Sequence, residues 1–298
     1  MIGITGASGF VGKNLVAYLH DRSFDTKLVS RQQLSHPIIN LNNLDAVIHL
    51  AGKAHDLKKT SDPLEYYQVN FDLTKRIFDS FLNSDAKTFI FISSVKAVAD
   101  SLLDDKLTEE TEPSPQTHYG KSKLQAENYI RSKTMPEGKR YFILRPCMIH
   151  GPGNKGNLNL LYNIISKGIP YPLGSYNNQR SFLSVENLCF MIIELLNSDL
   201  ESGVYNLSDN GSLSTKQVVE YIGSAIGTKP QILNIPKSVI NGMAKIGDFL
   251  RLPFNSERLL KLTEDFVVDN SKIIKAVNKQ MPLTIKEGIM LTATSFKA

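Results

Sequence analysis

Hydrophobic positions in the first half of the chain gather into short, nearly unbroken runs: "MIGIT", "TKLVS", "DAVIHLA", "TFIFIS" and "RYFILRP". Each run is too short for a helix of ordinary length and is rich in β-branched or aromatic residues, which predicts strands. Apolar character that is continuous rather than alternating predicts burial on both faces, as in parallel strands covered by helices. Stretches with helical spacing separate the runs and begin near Gly9, Pro63 and Tyr119. The expected fold class is α/β, a doubly wound parallel sheet.

The pattern changes after residue 150. From Gly151 to Arg180 the chain is rich in Gly, Asn and Pro, with one helical stretch, "LNLLYNIISKG". "SVENLCFMIIELLNS" then predicts a strongly apolar helix and "GVYNLS" a strand. A second helix-rich block opens at "SLSTKQVVEYIGSAIG", where Ser214 and Gln217 have the spacing of a capping box. These shifts predict a main domain over residues 1–150, continued by 181–208. Residues 151–180 and 209–298 are expected to form a smaller, discontinuous C-terminal domain laid over it. Neither an internal repeat nor a low-complexity segment is visible.

Composition narrows the function classes. A length of 298 residues allows a large core, and 42% hydrophobic with 21% charged residues is ordinary for a soluble enzyme. No apolar run reaches the ~20 residues needed to span a bilayer. The opening "MIGITGASGF" has neither a charged lead nor a long apolar segment, so no secretory signal is expected. Cys147 and Cys189 have no metal-ligand spacing, which predicts a reducing, cytoplasmic setting without a disulfide or a bound metal. A net charge of +5 with scattered basic residues suits an anionic small molecule. It argues against nucleic acid, because no dense basic stripe is present.

"GITGASGFVGKNLVAYL" carries Gly6, Gly9 and Gly12 between the first strand and the first helix. Gly6 permits the tight turn, Gly9 lets the backbone approach a pyrophosphate, and Gly12 lets the helix pack close to the sheet. Free N–H groups and the partial positive charge at the helix start would hold the phosphates. Further along, "PSPQTHYGKSKLQAENYI" sets Tyr119 and Lys123 four residues apart, on one face of the expected helix.

Taken together, the Gly-x-x-Gly-x-x-Gly loop and Tyr119-x-x-x-Lys123 resemble the short-chain dehydrogenase/reductase superfamily. Chain length and later motifs resemble its extended branch, the NAD-dependent epimerase/dehydratase family, whose members mostly act on nucleotide sugars and share a Rossmann fold. The resemblance implies cofactor contacts from Gly6, Gly9, Phe10, Val11 and Gly12. "DAVIHLAG" is similar to the family's fourth-strand motif and implies the same for Leu50, Ala51 and Gly52. "YYQVNFDLT" implies Asn70 as a structural and cofactor-side residue, and "LRPCMIHGPG" places Pro146 at the strand end beside the nicotinamide. "FIFISSVKAV" resembles the strand that carries the catalytic Ser or Thr, a role that Ser94 fits better than Ser93.

The chemistry implied is hydride transfer to or from a carbonyl carbon. A free phenol has a pKa near ~10, too high for a base at neutral pH, and a neighbouring ammonium pulls it down. Tyr119 is thus the expected acid or base. Lys123 is expected to lower its pKa and to hold the nicotinamide ribose, and Ser94 to bond the reacting oxygen. Two departures from the family pattern are informative. Val95 stands where 4,6-dehydratases carry an acid, which disfavours elimination; Lys96 follows and is expected to face the substrate. The second strand ends "KLVSRQQ" without the Asp that bonds an adenosine ribose. Ser30 and Arg31 match a 2′-phosphate instead, so NADP(H) is favoured, with NAD possible.

On the substrate side Arg180 in "NNQRSFLSV" resembles the family's diphosphate-binding Arg, and Arg258 in "SERLLKL" is a candidate second one. Asn157 and Leu158 resemble an Asn-Leu contact to the nucleotide. Met148 and His150 replace a common Asn and Tyr, so direct sugar contacts do not carry over. The leading expectation is NADP(H)-dependent reduction at C4 of a UDP-4-keto-6-deoxy sugar for surface polysaccharide. A UDP-sugar 4-epimerase with tightly bound NAD is the alternative. A non-catalytic dinucleotide-sensing protein is a rival of another class, disfavoured because Ser94, Tyr119 and Lys123 are all retained. The expected partners are a UDP-sugar and a second copy of the chain, with no nucleic acid and no membrane. The homodimer is expected because Phe71, Ile77, Phe78 and Phe81 look in excess of what one covered helix face needs, and because the resemblance implies that the helices starting near Pro63 and Tyr119 pair with their twins as a four-helix bundle.

Overall fold

The structure, a computed structural model, describes residues 1–36, 38–53, 62–102, 105–154, 156–250 and 255–297. The chain begins β1 (Ile2–Thr5), α1 (Phe10–His20), β2 (Thr26–Val29), α2 (Arg31–Ser35) and β3 (Ala46–His49). Next come α3 (Pro63–Tyr67), a π turn (Gln68–Asp72), α4 (Leu73–Leu82), β4 (Thr88–Ile92), a 3-10 turn (Val95–Ala97), α5 (His118–Arg131) and β5 (Arg140–Pro146). β6 (Met148–His150), α6 (Asn157–Ser166), β7 (Phe182–Ser184), α7 (Val185–Leu196) and β8 (Gly203–Leu207) follow. The last helices are α8 (Thr215–Ile226), α9 (Lys237–Phe249), α10 (Ser256–Thr263), α11 (Ser271–Val277) and α12 (Ile285–Ser295).

All five apolar runs of the first half are strands, and "GVYNLS" supplies β8. They form one parallel six-stranded sheet in the order β2-β1-β3-β4-β5-β8. Register explains the unbroken hydrophobicity. Ile4, Ile48, Ile90 and Phe142 align across the sheet and enter one core with α1 and α7. Their neighbours Val47, Phe89, Phe91 and Ile143 enter the opposite core with α4 and α5. Both faces need apolar residues, so no alternation survives. The chain leaves β1 for β2 on one side and returns to β3 on the other. That reversal opens a crevice above the ends of β1 and β3, where open α/β sheets bind ligands.

The apolar excess offered for the expected dimer does not hold for three of its four residues. Ile77, Phe78 and Phe81 are fully buried under the sheet, with the Phe78 and Phe89 rings 5.0 Å apart. Phe71 is half-buried against Tyr129, at 6.3 Å between ring centroids. These side chains cover large aromatic strand residues, which is why the helix needs so many of them. Ile77, Phe78 and Phe81 are core.

A third apolar cluster gathers Leu158, Tyr171, Leu173, Phe182, Leu213, Val218 and Ile222 with residues of α9, α10 and α12. The capping box at the start of α8 is present as expected, with Ser214 Oγ accepting from Gln217 N and Gln217 returning to Ser214 N. Two short elements were not anticipated: the helix α2 and the parallel β6–β7 pair. The cysteines are both buried and free. No helix among the described residues is long and apolar enough to cross a membrane.

Candidate active site

The loop after β1 closes tightly. Gly6 has φ +72°, and a Cβ there would stand 2.6 Å from Ala51 N, so the turn admits only glycine. Gly9 caps α1. A Cβ on Gly12 would meet Gly6 O at 2.3 Å; its close approach is to the loop itself rather than to the sheet, as the sequence suggested. Phe10 and Val11, half-buried, form the first helical turn and pack into the core beneath. α1 thereby points its free N–H groups into the crevice.

A directed hydrogen-bond chain fixes the opposite wall. Thr74 Oγ1 donates to Asn70 O at 2.7 Å, so it accepts from His49 Nε2 at 2.9 Å. His49 Nδ1 then accepts from Thr5 Oγ1 at 2.7 Å, and Thr5 Oγ1 accepts from Ala51 N at 3.2 Å. Every donor and acceptor is used only if His49 is neutral. Burial first, and then the nearby Lys123 charge, push its pKa down to about 3. Asn70 sits on the π turn, fully buried, and clamps the chain after Leu50, Ala51 and Gly52. Its Oδ1 accepts from Lys53 N at 2.8 Å, and its Nδ2 reaches Lys53 O and Ser122 Oγ at 3.1 Å each.

Asp100 receives the chain entering α5, accepting from Gln116 N at 2.7 Å and Thr117 N at 3.0 Å, and Thr117 caps the helix. A Cβ on Gly120 would stand 2.3 Å from Lys96 O, so its absence lets α5 meet the 3-10 turn. This contact brings Tyr119 to Ser94. The phenol hydrogen-bonds the Ser94 hydroxyl, and Tyr66 lies edge-on at 6.3 Å. Ser93, one residue earlier, donates instead to the buried Glu127. Lys123 is buried, donates to Ile92 O at 2.8 Å and lies 4.7 Å from the Phe91 ring centre. A Cβ on Gly52 would be 3.2 Å from its Nζ, so the ammonium lies against the glycine at the end of "LAG".

The electrostatics correct one expectation. Burial pushes the Tyr119 phenol up, while the Ser94 bond lowers it and Tyr66 raises it further. Lys123 was expected to lower it, yet its ammonium is turned toward Ile92 O. Burial brings Lys123 itself down to about 8, with the Glu127 carboxylate opposing. The phenol in this structure is neutral and bonded to the Ser94 hydroxyl.

Substrate-side candidates divide. Arg180 Nη1 donates to Lys261 O, and Nη2 lies 3.8 Å from Glu264 Oε1. Lys96 Nζ donates to Asp100 O at 2.7 Å and sits 4.4 Å from the Phe266 ring centre; burial lowers its pKa, and Arg180 is among the charges that act on it. These two are neighbours. Asn157 is exposed at the first position of α6, whereas the Leu158 side chain is buried in the third core, leaving only its backbone for a ligand. Arg258 is exposed on α10. Pro146 is buried at the end of β5. Ser30 caps α2 in a capping box with Gln33, and Arg31 follows it, exposed.

Sequence reasoning missed the support beneath Lys123. Glu127, one turn further along α5, binds Arg145 of β5 through Nε and Nη2, at 2.6 Å for the shorter contact, and both are buried. The four-residue step from Lys123 was the available signal. His49 and Thr74 carried none, since each looks like an ordinary core residue in sequence.

A cleft of this make can lay a dinucleotide along the glycine loop and hold a carbonyl or alcohol against one phenol. That defines the class: a pyridine-nucleotide-dependent enzyme. The chain belongs to the NAD dependent epimerase/dehydratase family, whose profile matches residues 2–208. It is 28% identical to a UDP-glucose 4-epimerase of Vibrio cholerae over 98% of this chain and 94% of that one. It is also 28% identical to a GDP-6-deoxy-D-mannose reductase of Pseudomonas aeruginosa, over 78% of this chain and 82% of that one. Among solved structures, RMD from Pseudomonas aeruginosa complexed with NADPH matches with a TM-score of 0.77 at 23% identity, covering 100% of both chains. The protein is an NAD(P)-dependent extended short-chain dehydrogenase/reductase of the nucleotide-sugar epimerase/reductase group.

Proposed function

We propose that the protein reduces the C4 carbonyl of a UDP-4-keto-6-deoxy sugar with NADPH, in surface polysaccharide synthesis. The bound nicotinamide supplies the hydride. Tyr119 donates its proton to the oxygen that becomes the C4 hydroxyl, and Ser94 bonds that oxygen and orients the phenol. Lys123 holds the nicotinamide ribose, steadied by Asn70 and Glu127. Arg180 and Lys96 face the diphosphate, with Asn157, the Leu158 backbone and Arg258 as further contacts. In this reading residues 151–180 and 209–298 form the substrate lobe, and the homodimer rests on the family resemblance alone.

The observation that favours reduction is the end of β2. Ser30 and Arg31 stand at the end of β2 with no carboxylate beside them in the chain, and Arg31 has no ion-pair partner among the described residues. The neutral, half-buried Tyr119 phenol suits proton donation as well. A 4-epimerase with tightly held NAD uses the same three residues and is the second reading, favoured by the Vibrio cholerae relative.

A guanidinium paired with a 2′-phosphate at a partly exposed site contributes on the order of 1.5–3 kcal/mol, about ten- to a hundredfold in affinity. NADPH should therefore bind more tightly than NADH, and Arg31→Asp should reverse the order in fluorescence titration. A panel of UDP-4-keto sugars with NADPH, followed by its absorbance, identifies the substrate. If the protein holds NAD through purification and neither binds nor consumes NADPH, the epimerase reading replaces the reductase.

A further inference from the structure

Ser94 and Tyr119 come from different segments, and their bond forms only if the 3-10 turn and the first turn of α5 are held together. The second half of α5 is secured by packing: Ala126 and Ile130 are fully buried against the sheet, and Glu127 binds Arg145. Its first turn is less covered. Gln116 and His118 are exposed, and Thr117 and Tyr119 are half-buried. Something other than the apolar core must fix the place where the phenol stands.

Asp100 supplies that hold. Besides the backbone N–H groups of Gln116 and Thr117, its carboxylate accepts from Thr117 Oγ1 at 3.2 Å. Thr117 Oγ1 itself accepts from Gly120 N at 3.1 Å, so its proton is left for the carboxylate. Three donors at the start of α5 thus converge on one negative group, at the end of the helix where its dipole is positive. The Asp100 carbonyl reaches the other way. It accepts from Lys96 Nζ at 2.7 Å, and Lys96 N donates to Ser94 Oγ at 3.2 Å. A closed ring results, running from Ser94 through Lys96, Asp100 and Thr117 to Tyr119 and back to Ser94. Close by, Val98 O accepts from Ser114 N at 2.7 Å, so losing the carboxylate would loosen this junction without opening it.

We propose that Asp100 is a positioning residue for proton transfer: by tying the first turn of α5 to the turn that carries Ser94, it sets the Tyr119 phenol against the serine. This rests on the reading of Tyr119 as the proton donor, and on neither the sugar nor the direction of reaction. Lys123 lies one turn further along and is fixed by Ile92 O. Asp100 therefore serves proton transfer and not cofactor binding.

Asp100→Ala removes the acceptor for all three donors and tests this. Its kcat should fall on the order of tenfold or more, since a displacement of about 1 Å at a reacting group can cost about a hundredfold. Cofactor affinity, read by fluorescence titration, should stay at wild-type level. Asp100→Asn keeps one oxygen able to accept both backbone N–H groups and should recover most of the lost turnover. Turnover is measured in whichever reaction the wild-type protein performs, ketone reduction or 4-epimerisation. Hydrogen exchange needs no substrate: in Asp100→Ala the amides of residues 116–120 should exchange faster, and those of 126–131 should not change. Wild-type kcat in Asp100→Ala overturns the proposal. So does an alanine variant that fails to fold or loses cofactor affinity along with kcat, and so does an asparagine variant no better than alanine. If the wild-type protein performs neither reaction, the reaction reading falls by itself. Exchange at the start of α5 then still decides the role of Asp100, and an unchanged rate there overturns it.

Discussion

The Lys123 ammonium must survive burial, bond a backbone carbonyl and remain charged for a ribose. Burial lowers its pKa to about 8, and Glu127 keeps it from falling further. The ammonium is therefore present below about pH 8 and lost above it. Cofactor affinity should hold steady below that value and decline as the pH passes through it, in a fluorescence titration series. Glu127→Gln should move the decline to lower pH, an effect that general loosening of the helix would not produce. Unfolded lysine keeps its proton to about 10.4. Between about pH 8 and that value the unfolded chain holds a proton the folded one has shed, so stability from this group rises with pH across the window. Tyr119→Phe leaves the ammonium and the glycine loop in place. It should retain cofactor binding and lose turnover, and wild-type turnover in that variant would exclude the phenol as proton donor.

At the scale of elements, α4 and α5 do the work of covering one sheet face, and their aromatic content reflects the strands beneath them. Phe78 touches Phe81 and Phe89 with no exposed surface. Phe78→Ala should cost about 3–5 kcal/mol in urea unfolding, the transfer free energy plus the cavity left behind. Light scattering should give the same mass for the folded variant as for wild type. A change in mass without a large stability loss would return this helix to an interface role. The π turn between α3 and α4 is a second case of an element serving the site. Its wide backbone turns Asn70 inward to bond the Lys53 backbone, a placement frequent where helices meet functional sites.

For the whole molecule, the question is how segments distant in sequence are joined. Asp209, just past β8 and fully buried, accepts from Ser184 N at 3.0 Å and from Asn187 Nδ2 at 2.7 Å. Asn187 in turn bonds both Leu283 N and Leu283 O, while His150 Nδ1 reaches Thr292 on α12 at 2.8 Å. These few polar groups connect the β6–β7 pair, the start of α7 and the C-terminal helix. Asp209→Ala leaves two buried donors unpaired, at about 1–3 kcal/mol each. Its urea midpoint should fall accordingly, and an unchanged midpoint would show that water replaces the carboxylate at no cost.

Local pattern determined much of this protein. Short continuous apolar runs rich in β-branched residues read as strands covered on both faces, and glycine at a strand-to-helix turn is legible because a tight turn there favours a residue without Cβ. The four-residue step from Tyr119 to Lys123 is likewise a property of the helix alone. What sequence could not supply is any relation that depends on which elements meet. It read Phe78 and Phe81 as surplus because Phe89, the partner of both, lies on another element. It expected Lys123 to lower the phenol's pKa, because spacing says that two side chains share a face and not that Ile92 O claims the ammonium. Glu127, Arg145, His49 and Thr74 act through contacts between segments far apart in the chain. Those contacts, and the burial that keeps His49 neutral, exist only once the chain is folded.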